Sequence, residues 1–409
     1  EDILEQADET DAVFGELYSW YLRNPEYRSR VQKLVQSAFA GKPKDIISQS
    51  VAKALYGEVS PYSATRLERF AACAFAHFLQ YGMKLTERVE YEFKPMDMGN
   101  VMHEALESFA EEVRKRGMKW TELTEQERNE IADRCLDNIV ADYGNTVLKS
   151  SARNEYMIER TRRILRRTVW ALQKQLEQGE FQPEGFEVTF GGGRIDRVDI
   201  MEDQNKVYVK VIDYKTGNTS FDLVYLYHGL QLQLMIYLDG ALRVEQKKYQ
   251  DKEIIPAGVF YYNIKDPMIQ EKIDADVEAV SAGLMKELKM NGLVQADPEL
   301  VYRMDSSLGS IPVAFNKDGS FRKNSSVADR TQFAVLGRYV RTKIEKIRSS
   351  ILEGDAEVSP YELGKKNACT YCPYMTVCGF DRRLSGYEFR RLKNFSDEEL
   401  WKAFDREAE

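Results

Sequence analysis

Along the middle of the chain, apolar residues recur with period two. In "GFEVTF" (185–190), "GGGRIDRVDI" (191–200) and "KVYVKVIDYK" (206–215), β-branched and aromatic residues alternate with polar ones between Gly and Asn breakers. That is the pattern of half-buried strands. "IIPAGVFYYNI" (254–264) is a fourth, nearly continuous apolar run. Before it lies "YHGLQLQLMIYLDGALRVE" (227–245), whose apolar positions return every three or four residues and predict a helix. Strands followed by a helix and a further strand predict an α/β core with a mixed sheet flanked by helices. "IPVAFNKDGSFRKNSS" (311–326) predicts a hairpin turning at Asp318-Gly319.

Helical periodicity fills the rest of the chain. Residues 11–39 predict helices interrupted at Pro25, and "VSPYSATRLERFAACAFAHFLQYGMKL" (59–85) begins a second unit with Ser63 or Thr65 as N-cap. A helix is expected over Met98–Arg116, the next starts at the capping box "TEQE" (124–127), and the last long one is "QFAVLGRYVRTKIEKIRSSIL" (332–352). This divides the chain into a helical lead-in over 1–58, a main domain over 59–385 and a helical tail over 386–409. The opening "EDILEQADETDAVF" reads like the interior of a longer polypeptide.

With 409 residues and 43% hydrophobic content, the chain can bury one large core or two ordinary ones. No run approaches the ~18 apolar residues of a membrane span, and no basic, apolar leader opens the chain, so the expected location is the cytoplasm. A net charge of -8 argues against coating nucleic acid non-specifically. Two basic blocks, "RTRRILRRTVWALQKQ" (160–175) and "DRRLSGYEFRRLK" (381–393), are compatible with a nucleic-acid path or with solvated helix faces.

Candidate chemistry gathers at the strand "VKVIDYKTG" (209–217). Asp213 and Lys215 are two apart and share a face with Val207, Val209 and Val211. The preceding strand offers Asp196 and Asp199, which cannot face the same way without a bulge; parity with Val198 and Ile200 favours Asp196. Two carboxylates from neighbouring strands with a lysine beside them make an oxygen-ligand site for Mg²⁺ or Mn²⁺, or else a structural ion pair at a strand end. In "GNVMHEALESF" His103 sits at the edge of an apolar helix stripe, where a neutral imidazole can ligate a metal or simply pack. Gln233 and Tyr237, four apart, form one polar helix edge.

Five cysteines in a chain read as cytoplasmic are not expected to form disulfides. Cys369, Cys372 and Cys378 stand as C-x2-C-x5-C, and three thiolates want a fourth. Cys73 is the natural candidate, while Cys135 lies on a helix stripe and reads as a small packed residue. A tetrathiolate suits zinc or a [4Fe-4S] cluster, and a zinc site can also recruit His77.

In order, GxxxHE (99–104), GRIDR (193–197), IDYK (212–215) and QxxxY (233–237) resemble the RecB-like branch of the PD-(D/E)XK nuclease superfamily. The resemblance implies that His103, Asp196 and Asp213 bind the metal together with the main-chain carbonyl of Tyr214. It also implies that Lys215 is catalytic and that Gln233 and Tyr237 complete the site. A cysteine upstream of the histidine, with C-x2-C-x5-C after the last motif, resembles the iron–sulfur nuclease domains of the AddB family over roughly residues 50–385. That likeness implies a [4Fe-4S] cluster on Cys73, Cys369, Cys372 and Cys378, a C-terminal iron–sulfur staple. Ala74 departs from the proline usual after the first cysteine. The likeness further implies cleavage of single-stranded DNA, on the 5′-terminated strand, in double-strand-break repair beside an AddA-type subunit. No G-x-x-x-x-G-K-[ST] phosphate loop occurs, so ATP-driven unwinding belongs elsewhere. The rival expectation is a catalytically silent DNA-binding or docking module on the same fold.

Overall fold

Six strands form one mixed sheet in the spatial order β1-β2-β3-β4-β5-β6. They are β1 (Gln182–Phe190), β2 (Gly193–Asp203), β3 (Lys206–Lys215), β4 (Glu253–Asn263), β5 (Asn291–Gln295) and β6 (Val327–Ala328). In this computed structural model, residues 9–38, 46–57, 63–86, 95–142, 151–191, 193–270, 276–384 and 386–408 are described. The first three strands run antiparallel, β3 and β4 are parallel, β4 and β5 antiparallel, and β5 and β6 parallel. Pro256 cannot donate to a ladder and sits where the β3–β4 register shifts, between the pairs Val209–Pro256 and Lys210–Gly258.

β3 is buried on both faces, which is why its sequence is apolar almost throughout. Val207, Val209 and Val211 pack towards α4 (Ala64–Ala72), α10 (Gln233–Lys248) and α13 (Arg330–Glu353). Tyr208, Ile212 and Tyr214 pack on the other side, towards α6 (Pro95–Lys115), α7 (Glu125–Asp142) and α8 (Ala152–Glu177).

Local signals set the helix ends. α1 (Glu9–Arg23) stops before α2 (Pro25–Ala38), with Pro25 at the first helical position and Asn24 accepting from the Glu26 N–H. Ser63 caps α4 through the Arg66 N–H. Thr124 and Glu127 form the reciprocal capping box ahead of α7. The turn at Asp318-Gly319 is closed by a single bridge between Phe315 and Phe321 rather than by a full hairpin ladder. α3 (Gln49–Tyr56), α5 (Ala74–His77), α9 (Leu223–Tyr227), α11 (Val277–Glu287), α12 (Pro298–Met304) and α14 (Met375–Cys378) complete the helical set with α15 (Asp397–Ala408).

α15 lays Leu400 and Phe404 into the same core as α13, where Phe404 packs edge-on against Tyr339. β7 (Tyr361–Leu363), β8 (Lys366–Asn367) and β9 (Arg390–Arg391) make a small second sheet around the cysteine-rich segment. The boundary expected between 58 and 59 lies outside the described residues, as does residue 385 at the second one. Among the described residues no helix is long and apolar enough to cross a membrane.

Candidate metal centre

Three adjacent strands deliver three carboxylates to one end of the sheet. The β1–β2 register pairs Phe186 with Arg197 and Val188 with Ile195, so Glu187 stands opposite Asp196. The β2–β3 register pairs Arg197 with Ile212, and one residue further on Asp196 meets Asp213. From α6, His103 turns Nδ1 to within 3.4 Å of Asp196 Oδ2 and 3.9 Å of Glu187 Oε1. Ligand atoms of His103, Glu187 and Asp196 all lie within 4.8 Å of one another, close enough for one ion to be shared. Asp196 is fixed by the Tyr214 N–H, which donates to its Oδ2 at 2.7 Å, and the His103 ring stands edge-on to the Tyr214 ring.

Asp213 lies just beyond that trio and faces a second set of partners. Its Oδ2 is 2.6 Å from Lys215 Nζ, and its Oδ1 accepts from the Gln233 amide at 3.0 Å. The carbonyl oxygen of Gln233 accepts from Lys215 Nζ at 2.8 Å, and its amide nitrogen lies 2.9 Å from Tyr237 Oη. Gln233 therefore bridges the acid, the lysine and the phenol. α10, the second helix after the Asp-Lys strand, closes this network, with Gln233 and Tyr237 one turn apart on it.

The electrostatics are those of carboxylates crowded together at the end of the sheet, with Lys215 against one of them. Burial first, and then the neighbouring charge of Asp196, push the Asp213 carboxyl up to about 7 despite Lys215. Burial works against a charged His103, but hydrogen bonding to Asp196 and Glu187, with the charges of Asp196 and Asp213, holds its pKa up at about 10. Burial pushes the Tyr237 phenol up to about 12. Carboxylates crowded this closely form an oxygen donor set that a hard divalent ion fits, and His103 can join it by giving up the proton it shares with them, since only the neutral ring ligates a metal.

Asp199 goes the other way. It is fully buried on the opposite face, where Arg197 binds both its oxygens at 2.6 and 2.8 Å and Lys210 approaches to 3.1 Å. Burial alone would raise its carboxyl, but Arg197 and Lys210 outweigh that and hold it below the usual range.

Two of the four cysteines of the expected set, Cys73 and Cys372, share one small apolar cluster. Cys73 caps the end of α4, and Cys372 packs in the small cluster that it forms with Ala76, Leu79 and Tyr374. The Cys369 thiol is pushed up to about 11, by burial and then by its neighbours Cys73, Cys372 and Cys378. Tyr374 Oη donates to the Leu85 carbonyl at 3.0 Å and ties the two chain segments together. Cys135 is apart from them, buried in the core of α7. His77 is engaged too: its Nε2 accepts from Arg66 Nε at 3.1 Å in a cage of Tyr56, Phe70 and Tyr81 rings.

Sequence reasoning missed Glu187. Its signal was an acid inside "GFEVTF", but period-two alternation gives no reason for that acid to reach the centre. The structure supplies one: Glu187 adopts a φ of 49°, left-handed and unusual for a non-glycine residue. Arg194 pairs with its other oxygen. Backbone held in so sparse a region marks a constrained site.

Residues 61–379 match the family described as the PD-(D/E)XK nuclease superfamily. The chain is similar to an ATP-dependent helicase/deoxyribonuclease subunit from Lachnoclostridium phytofermentans, with 41% identity over 98% of this chain and 36% of that protein. Proteins of the same name from Thermoanaerobacter sp. (strain X514) and Clostridium acetobutylicum are 34% and 33% identical, each over 98% of this chain and over 37% and 36% of their own lengths. The chain thus spans a little over a third of the curated relatives it matches.

Proposed function

The chain belongs to the PD-(D/E)XK nuclease superfamily, whose members are phosphodiester hydrolases that generally use divalent metal ions, and from that premise we propose that it is the nuclease domain of an AddB-type subunit. In this reading it hydrolyses single-stranded DNA, on the 5′-terminated strand, during double-strand-break processing. A helicase partner of AddA type feeds the strand to it in the cytoplasm. The names of the relatives, each a helicase/deoxyribonuclease subunit, support this reading. So does the absence of a phosphate loop in these 409 residues, which leaves unwinding to other parts of the assembly.

The observation that carries the proposal is the meeting of His103, Glu187 and Asp196 beside the Asp213–Lys215 pair. His103, Asp196, Asp213 and the Tyr214 carbonyl are the ligands we assign, and the geometry adds Glu187. A bound Mg²⁺ or Mn²⁺ supplies positive charge to the phosphodiester oxygens and to the attacking water. Lys215 holds that water in line or neutralises charge developing on the phosphate, and as an ammonium it donates to both. Gln233 keeps the Lys215 ammonium beside Asp213 through the two bonds of its amide, and Tyr237 fixes the amide's orientation.

We assign Cys73, Cys369, Cys372 and Cys378 to a [4Fe-4S] cluster. The packing of Cys73 with Cys372, the C-x2-C-x5-C spacing of the other three thiols, and the engagement of His77 with Arg66 support an all-sulfur set. Its contribution is structural, joining α4 to the segment after α13.

The test is cleavage of a 5′-labelled single-stranded oligonucleotide in Mg²⁺ by the parent and by Asp213→Ala. The expected result is cutting by the parent, and in the variant loss of cutting with DNA binding retained. Equal cleavage by both refutes the site. Binding without cleavage by the parent leaves only the silent docking module.

A further inference from the structure

α10 begins without a cap of its own. Its N-cap residue is Leu232, whose side chain makes no capping hydrogen bond, and an apolar side chain has nothing to offer the free N–H groups of a first turn. Those groups find an acceptor far away in sequence. The Leu232 and Gln233 N–H groups donate to one oxygen of Glu68, at 2.7 and 3.0 Å, from α4. Ser63 fixes the start of α4, and its end is Cys73.

We propose that Glu68 is a positioning residue for the nuclease centre: it caps α10 from outside and so sets Gln233 at the height where its amide bridges Asp213 and Lys215. The inference deepens the reading of the site given above and rests on it. One of the two N–H groups that Glu68 holds belongs to Gln233 itself, so displacement of this cap moves the bridging amide directly. Glu68 is partly buried, and burial lifts its carboxyl to about 7 even though the two N–H groups and the charge of Lys215 pull it down. A carboxylate kept there against that penalty needs partners, and the helix start provides them. The arrangement also gives one helix two duties. α4 presents Glu68 to the nuclease centre and Cys73 to the thiol set, so the two sites share a strut.

Three variants separate reach from charge. Glu68→Gln keeps an acceptor oxygen at the same distance, Glu68→Asp keeps the charge but withdraws it by one methylene, and Glu68→Ala removes both. Hydrogen exchange of the Leu232 and Gln233 amides is read in the full chain with its iron bound, beside kcat and KM on the labelled oligonucleotide in Mg²⁺. In Glu68→Ala and Glu68→Asp we expect both amides to exchange at least about tenfold faster. Their kcat should fall about tenfold or more with KM within about twofold, at unchanged iron content. Glu68→Gln should restore both readouts to near the parent. The inference is overturned if Glu68→Asp exchanges and cuts like the parent, if Glu68→Gln behaves like Glu68→Ala, or if the loss lies in KM or tracks loss of iron. Should the parent not cleave at all, the proposed activity fails, while the exchange data still decide whether Glu68 caps α10.

Discussion

Replacing Asp199 with Asn should destabilise the protein without touching the metal centre. The carboxylate is fully buried and carries the acidic charge that pairs directly with two buried cations, Arg197 and Lys210. Asn keeps the volume and leaves Arg197 without its paired carboxylate and Lys210 with only the charge of Asp305. Aromatic faces soften the deficit, since Arg197 lies 5.7 Å over the Trp120 ring and Lys210 5.0 Å over Phe181, but such contacts recover only part of it. Breaking a buried pair by removing one partner costs about 3–5 kcal/mol. For a chain of 409 residues, unfolding entropy near 2.1 cal/mol/K per residue turns that into roughly 4–6 °C of melting temperature if the chain unfolds as one unit. Because Arg197 and Lys210 hold the folded carboxyl below its ordinary value, its contribution is complete above the unfolded pKa and is lost only as pH falls through the folded one. The deficit should therefore be constant between pH 6 and 8. Calorimetry over that range, with Mn²⁺ titration and cleavage per folded molecule, makes the measurement. A variant melting within about 1 °C of the parent refutes the buried-charge reasoning. One that melts normally but no longer binds Mn²⁺ moves the cation from Asp196 to Asp199.

Two further outcomes follow from residues near the cysteines. Burial, and then the Arg66 charge, push His77 down to about 3 from 6.5, so the unfolded chain takes up a proton that the folded one refuses. Stability is therefore lost as pH falls below about 6.5, by about 2 kcal/mol at pH 5. His77→Gln still accepts from Arg66 but cannot titrate, and its melting point should fall correspondingly less between pH 7 and 5; parallel curves for the two proteins would rule the linkage out. Cys372→Ser should lose the brown visible absorbance and the bound iron and should melt at lower temperature, and an unchanged spectrum and melting curve would remove the cluster assignment.

The strand core was legible because period-two patterning over 185–215 leaves few alternatives. Parity alone put Asp196 and Asp213 on one face, and the ladder between β2 and β3 has that register. The same rule could not foresee that Asp199 serves as counter-ion to Arg197 and Lys210, since that depends on which side chains the opposite face gathers. Glu187 escaped because its orientation is set by a left-handed backbone and not by alternation. Glu68 was invisible for another reason: its partners lie 164 and 165 residues downstream, and no local pattern links "RLERF" to the start of a helix that lacks a capping residue. His77 illustrates a third limit. Four residues from Cys73 it has ligand spacing, yet it packs in a cage of Tyr56, Phe70 and Tyr81 rings with Arg66 on its Nε2.

The packing of α4 against α13 has a bearing on biosynthesis. Leu67 and Ala71 share a core with Leu336, Tyr339 and Ile347, which are made roughly 270 residues later, some 15–55 s at ordinary translation speed. Until then that apolar face is covered only in part, by earlier segments such as α10, and apolar surface left open during synthesis is prone to association. The cysteines assigned above to the cluster are split the same way, Cys73 early and Cys369, Cys372 and Cys378 late, so a centre built from all four cannot close until the later segment has been made.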